Sequence, residues 1–545
     1  MTHAARVGAA PRRRLRRKQR RHLPWVLTGL LAAGLATACL LLTLGAAGAP
    51  ARMQAQIEAA IQRAPAPADI AQFYQARQFQ PLWLDRSGRL PWLPAFVLRD
   101  DAEQVLEDAA SAGSAAFRRD VRALLSHGRD LSEADLASAD VMVSEALALQ
   151  VARLQPDESA LAFIDPQLQP SVGAVLNEAG QASSLTAYVQ EARQINPIYD
   201  ALRAQFETYK SLWSALPQVP IPPGPRLSLG DQGPRVELLR RRLGVALAPA
   251  RPYDEVLESR VSAFQRAHGL APSGDADAAT VDALNRPSSD YGQLIAANLQ
   301  RARAFPTPHG RRFIVVNVPA AELYLYEDGH IRRSMLVGVG TAADPTPMMA
   351  GLIRYVVLNP YWNVPVDLVR GRVAPQVLRS GPSYVHQRHM QVLSDWSDSA
   401  HEIDPATVDW KAVAAGAQDL RVRQKPGADN MMGTVKFMLP NELGIYLHDT
   451  PEKGIFADDG RFVSAGCIRL ENAQSLLSWA FRTPSPPTAP IGQERSATLP
   501  EAIPVYVTYL TVFPTDAGPR FYPDIYGRDP ARPRRIESIQ RPRSA

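Results

Sequence analysis

The sequence predicts a multidomain α+β chain with an N-terminal transmembrane helix, a helical domain, a small three-helix module and a β-rich C-terminal domain. Three observations predict it. A strongly basic leader precedes a nearly uncharged stretch over 23–49. Apolar residues then recur with helical period, as at Val105, Ala109, Phe117, Val121, Leu124 and Leu125. From Arg312 onward the pattern turns to the two-residue alternation of strands.

Residues 1–22 carry nine Lys or Arg between Arg6 and Arg21, and Leu23 to Ala49 carry none. Roughly twenty apolar residues suffice to cross a bilayer, and flanking cations stay on the cytoplasmic side, so a single-pass membrane anchor with everything after it exported is expected. A cleaved signal peptide ending at Ala47-Gly48-Ala49 is the alternative, and the apolar stretch exceeds the usual length of a signal core. Ala36-Thr37-Ala38-Cys39 is a poor lipidation site, because Leu40, Leu41 and Leu42 follow where a mature end turns polar. A polar linker is expected over 50–67 and a helical domain over 68–216. Pro217 to Pro225 then holds five prolines in nine residues, which reads as a stiff, extended linker.

Over 226–286, Gly230 and Gly233 precede a one-faced apolar helix from Val236 to Leu243. A second helix runs through Val261 and Phe264 to His268-Gly269, where glycine suits a left-handed cap, and a third runs from Ala278 to Leu284. In the C-terminal domain (311–528), Phe313–Val318, Glu322–Tyr326 and Arg332–Val337 read as strands, with Asp328-Gly329 as a hairpin turn. Strands are also expected at Tyr355–Leu358, Val435–Leu439, Ile445–His448 and Ile503–Leu510, and a helix capped by Asn472 after Cys467. The Pro-rich run from Thr483 to Pro500 reads as a loop, and the basic, apolar-poor tail 531–545 as disordered.

The net charge of +6 misleads if read as one patch. The nine leader cations exceed it, so the exported part is slightly acidic and nucleic acid is not an expected partner. The chain has two cysteines, Cys39 in the apolar stretch and Cys467 beyond it. A lone thiol on the exported side has no internal disulfide partner. Cys467 lies in Ser464-Ala465-Gly466-Cys467-Ile468-Arg469, nineteen residues after His448. Cysteine nucleophiles need such a base, because the thiolate is the attacking species.

His448 followed by Ser464-x-Gly466-Cys467-Ile468-Arg469 resembles the signature of the YkuD-type L,D-transpeptidases. Asn359–Pro365, Arg423–Gly427, Lys436–Asn441, Tyr446–Pro451 and Asp524–Gly527 resemble strings of the large multidomain bacterial branch of that family. Phe73–Arg77 and Pro81–Leu84 resemble the start of its helical scaffold domain. Phe264-Gln265, His268-Gly269-Leu270, Gly274 and Thr280–Asn285 are similar to the three-helix peptidoglycan-binding module of wall enzymes. An ordinary helical spacer is the alternative there, and carbohydrate binding does not follow from fold alone. One position departs from the pattern: many members carry histidine where this chain has Ala465.

The resemblance implies a peptidoglycan L,D-transpeptidase that cuts a stem peptide after its third residue, releases D-alanine, and passes a Cys467 thioester to the amine of another stem. Cys467 is then the nucleophile and His448 the base, with the backbone carbonyl of Asp449 orienting the imidazole. The N–H groups of Gly466 and Cys467 are candidates for the oxyanion, and Ser464 for orienting His448. Arg469 either anchors a stem carboxylate or locks the loop by a salt bridge. Tyr361, Asn363 and Tyr446 are candidates for the donor groove, and Trp362 reads as core packing. The excursion over about 366–420 is expected to cap the site. His386 and His389 read as solvated loop residues, and no metal or organic cofactor is needed. Carbapenems are expected to trap the same thiol. Water or a lipoprotein amine are alternative acceptors, and a noncatalytic wall-binding scaffold is the rival from another class.

Overall fold

The computed structural model describes residues 48–63, 67–87, 95–112, 114–127, 131–154, 161–169, 171–192, 195–246, 251–305, 312–458 and 460–530. The basic leader, nearly all of the expected membrane span and the tail from 531 lie outside the described residues. Among those described, no helix is long and apolar enough to cross a membrane. The chain divides into two compact units, Met1–Leu149 with Val172–Thr186, and Gln150–Ser171 with Ala187–Ala545.

The first unit is mainly helical, with one hairpin of β1 (Leu84–Ser87) and β2 (Ala95–Leu98). Residues 50–63, within the stretch expected as linker, are helical instead. Met53, Ile57 and Ala60 recur at helical spacing and are buried with Ile70, Tyr74 and Leu136. The unit's buried polar centre is Asp140, which accepts from the Trp83 N–H (2.7 Å), the Leu82 N–H (3.0 Å) and the Tyr74 hydroxyl (2.6 Å). Its burial raises the carboxyl pKa to about 6 despite these donors.

In the second unit the helix Pro197–Tyr209, capped by Asn196, leads into the module helices Pro234–Arg242, Glu255–Ala267 and Ala278–Asn285. Asp254 and Asp277 cap the latter two, each accepting a backbone N–H three residues on. The Pro-rich segment is not a free spacer. Ile221 is buried in the module core, and Asn285 clamps it by accepting its N–H (2.8 Å) and donating to its carbonyl (2.9 Å). Prolines keep the segment extended, and the one branched aliphatic side chain among its last six residues supplies the burial that docks it.

The C-terminal domain is built on a closed sheet. Its strands in chain order are β3 (Ala162–Phe163), β4 (Phe313–Asn317), β5 (Glu322–Glu327), β6 (His330–Gly340) and β7 (Met349–Leu358). An excursion then carries β8 (Trp362–Val364), β9 (Met390–Leu393), β10 (Glu402–Ile403) and β11 (Arg421–Gln424). The sheet resumes with β12 (Val435–Phe437), β13 (Leu447–His448), β14 (Phe462–Ser464), β15 (Ile468–Leu470) and β16 (Arg495–Thr508), and ends in the hairpin of β17 (Val512–Thr515) and β18 (Gly518–Phe521). The order β12-β13-β15-β6-β5-β4-β16-β7 closes on itself through β7–β12 pairing. Asp328 and Gly329 both have positive φ, 50° and 76°, as a two-residue hairpin turn requires. Strand β16 begins at Arg495, so the end of the Pro-rich run is strand rather than loop: Arg495 to Thr498 pair with Leu358 to Tyr355, and the irregularity before Ile503 absorbs Pro500.

The excursion is a lobe with its own four-stranded sheet, β10-β9-β11-β8, and its own core, which includes Val369, Val392 and Trp410. Trp362 packs against this core, as expected.

Candidate active site

Three short strands set the site. Phe437 pairs with Leu447 and Leu447 with Ile468, and all three side chains are buried in the main core. Because side chains alternate along a strand, the adjoining row Lys436, His448, Arg469 must point to the other face. Tyr446 and Cys467 lie two residues before His448 and Arg469, so the same face receives them. That face floors a cavity of about 470 Å³, and Tyr361, Asn363, Tyr446, His448, Ser464, Cys467 and Arg469 all line it. The lobe supplies Asp367, Leu368, Arg372 and Val373 to the same cavity, as a capping segment should.

His448 is buried, and its Nδ1 lies 2.6 Å from the Asp449 carbonyl oxygen. A carbonyl only accepts, so Nδ1 carries the proton and Nε2 holds the lone pair. Burial, then the charges of Arg469 and Lys436, lower the imidazole pKa to about 4, against the pull of that carbonyl. The Asp449 side chain fixes its own backbone: Oδ2 accepts from the Thr434 N–H and hydroxyl (both 2.9 Å), and Oδ1 accepts from Lys453 Nζ (2.8 Å). Burial raises the Cys467 thiol, which donates to the Gly444 carbonyl at 3.5 Å. The resting pair is therefore an un-ionised thiol beside a neutral imidazole.

Ser464 does not touch His448. Its hydroxyl donates to the Cys467 carbonyl (2.6 Å) and accepts from the Gly466 N–H (3.1 Å), closing the turn that presents the thiol. The Gly466 N–H is consequently spent and is not an oxyanion donor, which leaves Cys467 N–H as the candidate from that pair. Gly466 is still required: its φ is +103°, and a Cβ would lie 2.9 Å from Ile445 Cδ1. Of the two readings of Arg469, the structure has the salt bridge, with Nη1 2.5 Å from Glu452 Oε2. Tyr361 lies beneath the Arg423 guanidinium, 4.3 Å from the ring centroid, and its N–H donates to Glu494 (2.8 Å). His386 and His389 are exposed; His389 pairs with Asp429 at 3.1 Å, and among the described residues no three metal-binding side chains are grouped.

Lys436 was not assigned by the sequence reading. The signal was a single charge inside the apolar strand Val435-Lys436-Phe437, which alternation sends to the open face. The Gly444 carbonyl had no sequence signal at all, since it depends on the fold of a loop.

The family profile "L,D-transpeptidase catalytic domain" (YkuD) matches residues 311–487, "Scaffold domain" matches 68–206, and "Putative peptidoglycan binding domain" matches 232–284. A protein of Haemophilus influenzae described as "Putative L,D-transpeptidase" is 32% identical over 247 residues, 44% of this chain and 49% of that protein, so the chain spans about half the length of that curated relative. Among solved structures, an L,D-transpeptidase from Mycobacterium smegmatis is similar at 14% identity over 37% of this chain and 60% of that one, with a TM-score of 0.18. L,D-transpeptidase 1 of Mycobacterium tuberculosis is similar at 13% identity over 37% and 63%, with a TM-score of 0.15. Likenesses this loose place no residue.

Proposed function

We propose that this protein, whose residues 311–487 match the profile of an L,D-transpeptidase catalytic domain, crosslinks peptidoglycan stem peptides through a thioester on Cys467. The observation that carries the reading is the parallel pairing of β13 with β15, which brings the His448 imidazole, protonated on Nδ1, and the Cys467 thiol onto one cavity face.

The thiol proton passes from Sγ to Nε2 of His448 as Sγ attacks the carbonyl carbon of the stem's third residue. The imidazolium, held by the Asp449 carbonyl, returns that proton to the departing D-alanine nitrogen as the amide C–N bond breaks. The Cys467 thioester keeps the acyl group activated, and an incoming side-chain amine attacks it, with His448 taking the amine proton and Sγ leaving. The Cys467 N–H faces the oxyanion of each tetrahedral intermediate. The lobe over the cavity limits water, which favours an amine acceptor over hydrolysis. Carbapenems acylate the same sulfur. The peptidoglycan-binding module supports a wall location, and the basic leader before an uncharged stretch supports a single-pass inner-membrane anchor with this domain in the periplasm.

Intact-protein and product mass spectrometry with purified tetrapeptide muropeptides tests the reading. Cys467-dependent loss of D-alanine with a crosslinked dimer is expected, and Cys467→Ala should abolish both. Loss without a dimer would reassign the acceptor to water, and no product from the folded wild type would overturn the enzyme reading.

A further inference from the structure

The row Lys436, His448, Arg469 puts two cations beside a histidine that the fold keeps neutral. They are not equivalent. Arg469 is neutralised by Glu452 at 2.5 Å. Lys436 is half-buried, and among the described residues it has neither a carboxylate nor a hydrogen-bond acceptor. Its ammonium lies on the face of Tyr446, 3.4 Å from Nζ to the ring centroid, a cation–π contact that holds it over the segment from which the Tyr446 N–H reaches the Cys467 sulfur.

The surroundings of Lys436 explain what that charge can act on. Glu494 accepts the Tyr361 N–H and acts on the ammonium through space, without an ion pair or hydrogen bond to it. Glu442, Asp367 and Arg372 line other walls of the cavity, and Tyr446 and His448 are the neighbours on its own sheet. The remaining group that becomes anionic on this face is the Cys467 thiol. Because no carboxylate is hydrogen-bonded to this ammonium, its field is open to the anion that forms on the same face when the thiol ionises.

We propose that Lys436 is a positioning residue whose ammonium, pinned on Tyr446, supplies the electrostatic partner of the Cys467 thiolate during proton transfer to His448. Lys436 stays protonated throughout: the thiol proton goes to Nε2 of His448, and no proton leaves Nζ. This deepens the proposed function and rests on Cys467 being the nucleophile, yet its test needs no peptidoglycan.

The test is alkylation of Cys467 in the full-length protein carrying Cys39→Ser, by anionic iodoacetate and neutral iodoacetamide, read by intact mass across pH and ionic strength. In the wild type, the iodoacetate-to-iodoacetamide rate ratio should exceed that of free cysteine and fall with added salt. Lys436→Met should lower the thiolate-dependent rate about tenfold, as expected for loss of one close opposite charge, and cut the ratio several-fold. Lys436→Arg should restore both. A wild-type ratio no higher than that of free cysteine would overturn the proposal even if the Met variant failed to fold. Equal slowing of both reagents in Lys436→Met, with the ratio kept, would also overturn it by leaving only a scaffold role. If the ratios behave as expected but muropeptides give no product, the electrostatic role stands and the proposed reaction falls.

Discussion

His448 should stay in its base form far into acid. Its pKa is lowered to about 4 by burial first and by the Arg469 and Lys436 charges second. Consider acidification from pH 7.5 to 5.5. A histidine titrating near 6.5 is only about 9% neutral at pH 5.5, whereas one titrating near 4 is about 97% neutral, a roughly tenfold difference in competent base. The assay is the pH profile of kcat/KM for D-alanine release, which reports the free enzyme's essential groups. Carbapenem acylation of Cys467 is followed in parallel, because a limb shared by two unlike substrates belongs to the protein. The acid limb should fall between about pH 4 and 5, with little loss between 7.5 and 5.5. A limb near 6.5 in both profiles would refute the neutral buried imidazole, and with it the un-ionised resting pair.

The lowered histidines also tie stability to pH. His448 titrates at about 4 and the buried His268 at about 3 in the fold, so below 6.5 the unfolded chain binds protons that the folded one refuses. Stability is therefore full above pH 6.5 and falls as pH drops toward those values. From pH 7.5 to 5 the second unit should lose about 2 kcal/mol per ring, measurable by urea denaturation at both pH values, and His448→Gln should remove about half of that loss. Ser464→Ala deletes the hydroxyl that joins the Gly466 N–H to the Cys467 carbonyl. It should cost about 1–3 kcal/mol in thermal unfolding and lower kcat more than it raises KM; a variant with kcat intact would show that the turn holds without it.

The readable parts of this chain were those where one residue type has one conformational or chemical use. Gly269 and the Asp328-Gly329 pair are left-handed where the sequence predicted turns, and Asn472 caps its helix by accepting the Ser475 N–H. Cys467 and His448 stood out because the one cysteine after Cys39 and a histidine nineteen residues before it have few structural uses together. The misses have a common cause, since they turn on packing rather than on local preference. Polar residues diluted the period of Met53, Ile57 and Ala60, so a buried helix looked like a linker. Ile221 looked like part of a spacer because the residue that clamps its backbone, Asn285, lies 64 positions away. Ser464 was sent to His448 because both belong to one motif, but the hydroxyl finds nearer partners within its own turn. Whether Arg469 pairs with Glu452 or stays free could be decided only once the loop between them was folded.

The last hairpin of the C-terminal domain has a consequence for the three-helix module. Val512 belongs to the module's core, and the Phe521 ring lies parallel to that of His268, with centroids 5.9 Å apart. Gly269 makes the approach possible, because a Cβ there would meet the Phe521 carbonyl at 2.5 Å. A fragment cut at 226 and 286 would therefore lack part of its own interior, and grafting it elsewhere would carry an open aromatic wound. For the intact protein the same seam means that the module is no tether. Its place relative to the closed sheet is fixed by the packing of Val512 and Phe521 against its own core.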